Sequence, residues 1–210
     1  MNSSAIEAVI FDLGRVVIDF DHMIAARRIA QHTTFSAEQI YNLFFDSEVT
    51  GLLEEGKIAP VDFFSQVKAK LGLAITYAEF LPIWNEIFFL TDKNREVYKI
   101  AKSLMPHYTT VVVSNVNALH FAYVQETFPV FDVFTHIVAS CEIGYRKPHP
   151  RIYQKALEKI GLPAERVFYT DDRPELIEGA RVLGIQGYVF TGVETLKQDL
   201  ASVGVRLEHS

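Results

Sequence analysis

Ala8-Val9-Ile10-Phe11-Asp12-Leu13-Gly14 sets four apolar residues directly before a carboxylate and, two positions later, a glycine. A run that short and apolar at every position fits a strand buried on both faces of a sheet. The same pattern returns at 110–113, 137–139, 167–169 and 187–190. Between the last four runs the sequence predicts helices over 118–127, 150–160 and 174–183, the last opened by Pro174-Glu175 and stopped at Gly184. Strands alternating with helices predict an α/β fold, a Rossmann-like parallel sheet covered by helices and joined by right-handed crossovers.

Residues 21–90 break this alternation. They hold no convincing β-run, but 36–45, 60–71 and 76–90 carry amphipathic helical patterns, with Ser36 placed to cap the first of them. A helical stretch between the first and second strands is read as a small all-helical cap domain at 21–90, inserted into a catalytic core formed by 1–20 and 91–210. There are no repeats and no low-complexity segments.

The 210 residues are 49% hydrophobic and 22% charged, as expected of a globular chain with a sizeable core. The 26 acidic and 20 basic residues leave a net charge of −6, and the adjacent basic pairs Arg27-Arg28 and Arg146-Lys147 make no patch. A nucleic-acid partner, which would need a basic stripe, is not expected. Neither is a membrane partner, because no run approaches the roughly 18 apolar residues of a spanning helix. The single cysteine, Cys141, allows no internal disulfide, and no secretory signal is visible, so a cytoplasmic setting is expected. Oligomeric state is left open.

In open α/β sheets ligands bind beyond the carboxyl ends of the strands. Three predicted strands run into polar residues there: the first into Asp12, the second into Ser114-Asn115, the fourth through Thr170 into Asp171-Asp172. Lys147 precedes a helix in the loop after the third. Taken singly, Asp12 would pass for a turn former, Ser114-Asn115 for a capping pair and Lys147 for a solvated lysine. Asp171-Asp172 resists that treatment, because adjacent carboxylates repel unless a cation compensates them. Together they suggest a site for a metal and a phosphate.

The segments Ala-Val-Ile-Phe-Asp12-Leu-Gly14-Arg-Val, Val-Val-Val-Ser114-Asn115, Arg146-Lys147-Pro148 and Phe-Tyr-Thr-Asp171-Asp172 resemble, in order, the four motifs of the haloacid dehalogenase superfamily. The resemblance runs from residue 8 to about residue 190. It is closest to the branch with a helical cap after the first motif, which includes bacterial sugar-1-phosphate phosphatases and the phosphatase domain attached to soluble epoxide hydrolases. It implies a Mg²⁺-dependent hydrolase acting on a small phosphorylated metabolite, a sugar phosphate among the candidates. Asp12 would be the nucleophile, forming an aspartyl-phosphate that water hydrolyses. Mg²⁺ would take Asp12, Asp172 and the Gly14 carbonyl, with Asp171 acting through water or by pairing Lys147. Lys147, Ser114 and the Asn115 N–H would bind the transferring group and stabilise its charge.

Three positions depart from the family pattern. Gly14 stands where many relatives carry the aspartate that protonates the leaving oxygen, a group worth roughly 10²–10⁴-fold in rate. Its loss suggests a bias toward good leaving groups such as anomeric phosphates, with Asp19, Asp21 or His22 as possible substitutes. His149 and Leu176 stand where an acidic residue and an asparagine are common. The missing acid keeps two alternatives open, a 2-haloacid dehalogenase and a phosphate-binding regulator without turnover; a phosphomutase fits less well. Arg15 is a candidate to touch substrate. Cys141 is expected to be a buried or half-buried packing residue, and His22, His32, His107, His120, His136 and His209 to be structural. Trp84, Phe88 and Phe89 are expected to pack within the cap, and 54–57 to be a solvated helix end.

Overall fold

The computed structural model describes residues 5–45 and 47–207; His209 lies outside them. Five parallel strands form the central sheet: β1 (Ala8–Phe11), β4 (Thr109–Ser114), β5 (His136–Ala139), β6 (Val167–Asp171) and β7 (Gln186–Val189), in the order β5-β4-β1-β6-β7. β1 lies at the centre, with Ala8 opposite both Thr109 and Val167. Every residue of β1 is buried, as its unbroken apolar run requires. Alternate side chains serve opposite faces. Val9 and Phe11 pack with helices α6 (Asp92–Leu104), α7 (Ala118–Thr127) and α11 (Val193–Ser202). Ala8 and Ile10 pack with α9 (Pro150–Ile160) and α10 (Pro174–Arg181). The short α8 (Ser140–Ile143) follows β5.

The helical block comprises α1 (His22–Ile29), α2 (Ala37–Phe44), α3 (Glu48–Glu54), α4 (Pro60–Leu71) and α5 (Tyr77–Asn85). It has an apolar cluster of its own, in which Ile40, Phe63, Phe80 and Trp84 are buried. Ser36 caps α2 in a reciprocal capping box with Gln39, and Thr76 does the same for α5 with Glu79. Trp84 sits inside this cluster as expected.

One expectation for 21–90 is corrected. The stretch after α5 does not stay helical: Phe88–Phe89 form β3, paired antiparallel with β2 (Asp19–Phe20), Phe20 opposite Phe88. The chain therefore enters and leaves the helical block through one two-residue ladder. Phe89 is exposed and Phe88 joins both apolar clusters.

Candidate active site

β1, β4 and β6 deliver Asp12, Ser114 and Asp171 to one edge of the sheet, and the loop before α9 brings Lys147 back over it. The Lys147 ammonium is buried and spends all three donors: on Asp12 Oδ1 at 2.6 Å, Asp171 Oδ2 at 2.6 Å and the Val113 carbonyl at 3.0 Å. Its backbone is fixed by Asn115, whose Oδ1 accepts from the Lys147 N–H at 2.7 Å and whose Nδ2 donates to the Lys147 carbonyl at 3.0 Å. Asp171 also accepts from the Tyr169 hydroxyl through Oδ2 and from the Arg173 N–H, at 3.0 Å, through Oδ1. Oδ2 of Asp12 has no hydrogen-bond partner among the described residues.

Ligand atoms of Asp12, Asp171 and Asp172 lie within 4.8 Å of one another, a group that could hold a metal ion. Three carboxylates face the Lys147 ammonium and, 4.0 Å from Asp172, the largely exposed Arg15 guanidinium, which leaves negative charge uncompensated. Burial pushes the Asp12 carboxyl up to about 7 despite the pull of Lys147, and Asp171 and Asp172 add to the rise. Burial, then the charge of Asp171, raises Asp172 as well. Burial would strip the proton from Lys147, but Asp12 and Asp171 outweigh it and hold the ammonium above the ordinary lysine range. An all-oxygen donor set with surplus negative charge suits a hard divalent cation.

These groups open on a cavity of about 290 Å³, lined by Asp12, Gly14, Ser114, Asn115, Lys147 and Asp172 from the core. His22, Tyr41 and Glu54 line it from the helical block. Every residue expected to catalyse or bind therefore converges here except Asp171, which lies beneath, against Lys147. Ser114-Asn115 is not merely a capping pair: Asn117 caps α7, accepting from the His120 N–H at 3.0 Å.

The substitutes considered for the absent acid are distributed otherwise. Asp19 is held by Lys93 Nζ at 2.7 Å and by the Thr91 hydroxyl at 3.0 Å. Asp21 caps α1, accepting from the Met23 N–H at 2.8 Å. His22 reaches the cavity, stacked on Phe45 with ring centroids 4.5 Å apart. At Gly14 itself, an added Cβ would stand 2.7 Å from Cε1 of Phe20, so the ring fills the place of a side chain. His149 caps α9 and stacks on Tyr145, and Leu176 is buried with its carbonyl accepting from the Tyr153 hydroxyl at 2.7 Å.

The stretch 54–57 is the end of α3 and is exposed at Gly56 and Lys57, as expected, but Glu54 and Glu55 are half-buried. Glu54 accepts from Arg146 Nη1 at 3.0 Å through Oε2 and from the Ser140 hydroxyl at 2.6 Å through its carbonyl. Gly56 has φ +64° and lies so close to the Cys141 carbonyl that a Cβ would collide with it. This junction ties α3 to the residue preceding Lys147, over a sequence separation that local patterning does not reach. Cys141 is half-buried and its thiol is pushed up to about 11, burial being the main cause, which leaves it a poor nucleophile. Among the described residues no helix is long and apolar enough to cross a membrane.

Known proteins resemble this chain in sequence and fold. The chain is 25% identical to the sesquiterpene phosphatase astK of Aspergillus oryzae, over 88% of this chain and 90% of that protein. It is 22% identical to the D-ribitol-5-phosphate phosphatase of Bacteroides thetaiotaomicron, over 87% of this chain and 91% of that protein. A crystal structure of the HAD family enzyme bt-2542 from Bacteroides thetaiotaomicron, in complex with magnesium and inorganic phosphate, superposes with a TM-score of 0.74 at 24% identity, covering 88% of this chain and 94% of that one. At that identity the superposition establishes the fold. The family model for haloacid dehalogenase-like hydrolases matches residues 6–184, and the chain belongs to that family.

Proposed function

We propose that the protein is a Mg²⁺-dependent phosphatase that hydrolyses a small phosphorylated metabolite through an aspartyl-phosphate on Asp12. The observation that carries this reading is the buried Lys147 ammonium held between Asp12 and Asp171, with Asp172 beside them. The phosphatase relatives and the magnesium–phosphate complex of a structural neighbour support it. Mg²⁺ would be held by Asp12, Asp172 and the Gly14 carbonyl, and would supply positive charge where a carboxylate must approach a phosphate.

The residues then divide the work. A carboxylate oxygen of Asp12 forms a bond to phosphorus while the bond from phosphorus to the ester oxygen breaks. Lys147 holds Asp12 in place and, with the Ser114 hydroxyl, balances charge on the transferring group. Water then cleaves the acyl phosphate and restores the carboxylate. Gly14 offers no proton to the departing oxygen, and the Phe20 ring occupies the space such a donor would need. Esters whose leaving oxygen needs little protonation, anomeric sugar phosphates among them, are the favoured substrates. We further propose that 21–90 act as a specificity cap over the core, because Tyr41 and Glu54 reach the cavity from that block.

The test is a metal-controlled screen of phosphate esters, anomeric and alkyl, with the native protein and Asp12→Asn. The native protein should turn over only with Mg²⁺, and Asp12→Asn should lose on the order of 10³-fold or more in kcat. Metal-independent turnover of 2-haloacids, or activity retained in Asp12→Asn, would reject the assignment.

A further inference from the structure

Arg15 has φ 60° and is the only residue other than glycine with a positive φ among those described. Glycine and asparagine adopt this left-handed conformation readily, and longer side chains rarely do. The backbone reason for it is visible. The Arg15 N–H donates to the Ile18 carbonyl at 2.7 Å, and the Arg15 carbonyl accepts from Lys93 Nζ at 2.7 Å, closing the tight loop after the nucleophile strand. That loop requires the conformation but does not require an arginine.

The side chain shows what the arginine adds. Its guanidinium lies 5.4 Å from the centroid of the Phe20 ring and lines the cavity that contains Asp12. Its nearest carboxylate contact is Asp172, at 4.0 Å, with the arginine side chain 61% exposed. The other arginines of the cavity are engaged more closely: Arg146 with Glu54 at 3.0 Å and Arg173 with Glu175 at 2.6 Å. Arg15 thus offers the cavity a guanidinium fork whose ion pair with Asp172 is long and largely solvent-exposed. Its guanidinium reaches both Asp172, 4.0 Å away in the carboxylate cluster, and the Phe20 ring. Lys147 and Ser114 serve the reacting end at Asp12, whereas Phe20 belongs to the ladder leading into the helical block, on the side where the rest of a substrate must extend.

On the reading that the site hydrolyses phosphate esters, we infer that Arg15 recognises a carboxylate on the substrate's tail, so that among esters with the same leaving group those carrying a carboxylate bind best. A guanidinium matches the planar carboxylate with two parallel hydrogen bonds and balances its single charge. A second phosphate would bring a charge of about −1.5 to −2, more than one arginine offsets.

The probes are 3-phosphoglycerate and glycerol 3-phosphate, which differ by a carboxylate in place of a hydroxymethyl group. Binding is read by calorimetry in Mg²⁺ on Asp12→Asn, which lacks the nucleophile and keeps Asp172 and the Gly14 carbonyl for the metal, with Arg15 intact or changed to Asn, a residue that suits the left-handed turn. With Arg15 the acid should bind about tenfold tighter than its partner, a charge-assisted contact's worth. In Arg15→Asn that preference should vanish while the melting temperature stays at or above that of the Arg15 protein. Arg15→Lys, which keeps the charge and loses the fork, should fall between. Equal binding of both probes with Arg15 present, or the same preference in Arg15→Asn, overturns the inference. So does a lower melting temperature accompanied by parallel loss of both probes, which would mark Arg15 as structural. Hydrolysis by the Asp12 protein is measured separately, so failure of the phosphatase reading is told apart from failure of tail recognition.

Discussion

At Gly14 the absent side chain and the Phe20 ring account for each other. The ring lies where a Cβ would be, so the position cannot regain an acid without displacing an aromatic side chain that also serves β2. Gly14→Asp should therefore lower stability by about 1–3 kcal/mol, the usual cost of overpacking, measurable by urea denaturation. It should not deliver the roughly 10²–10⁴-fold gain expected of a functioning acid. Faster turnover at unchanged stability would show that the ring moves aside easily. The glycine was legible in the sequence as a gap in a motif. The ring filling the gap was not, because Phe20 reaches it through the chain's return over β1.

His120 shows the same principle with a buried titratable group. Its ring nitrogens meet Asn117 Nδ2 at 3.0 Å and the Trp84 carbonyl at 3.1 Å, so Nε2 carries the proton and Nδ1 accepts. Burial, with His22 adding to it, lowers its pKa from 6.5 to about 3. The unfolded chain takes up this proton as pH falls through 6.5 and the folded chain does so only near 3. The contribution is thus complete above 6.5 and is lost as the solution is acidified towards 3. Between pH 7 and pH 5 the native protein should lose about 2 kcal/mol more than His120→Gln. Parallel stability curves for the two proteins would refute this.

Among elements, the junction between α3 and the loop carrying Lys147 has the largest functional reach. Gly56 permits it through a positive φ and through contact with the Cys141 carbonyl. Gly56→Ala should cost about 2 kcal/mol or more and depress kcat beyond what stability explains, because Arg146 and Lys147 are neighbours in the chain. Normal kcat in a folded Gly56→Ala protein would break that link. The central strands were readable because burial on both faces writes an unbroken apolar run, and α4 and α9 match their expected limits because each begins with a proline. β2 and β3 were not readable: two residues are too few to show a period, and Phe88 and Phe89 continue the apolar pattern of α5. Glu54 was misjudged because its partners, Ser140 and Arg146, lie far along the chain.

For the whole molecule, the proposed metal site would couple cation binding to folding. If Mg²⁺ binds the native site alone, a hundredfold excess over its Kd adds about 2.7 kcal/mol. At roughly 2–4 °C per kcal/mol for a chain of this size, the midpoint of thermal unfolding should rise by several degrees. Asp172→Asn should abolish most of that rise; an undiminished rise would place the cation elsewhere. The motifs at the ends of β1, β4 and β6 conveyed this site from sequence alone, since each strand end is a local feature. The lining from the helical block did not follow, because it depends on how two separately packed clusters meet.

The ladder of Asp19–Phe20 with Phe88–Phe89 sets the two crossings of the chain side by side, at the roughly 4.8 Å spacing of paired strands. Viewed from the sheet, everything between them is a plug fitted to a two-pin socket. A shorter hairpin, or another bundle ending in the same two pins, would join without shifting the register of β1 against β4. The scaffold could thus exchange one head for another while its carboxylates stayed in place.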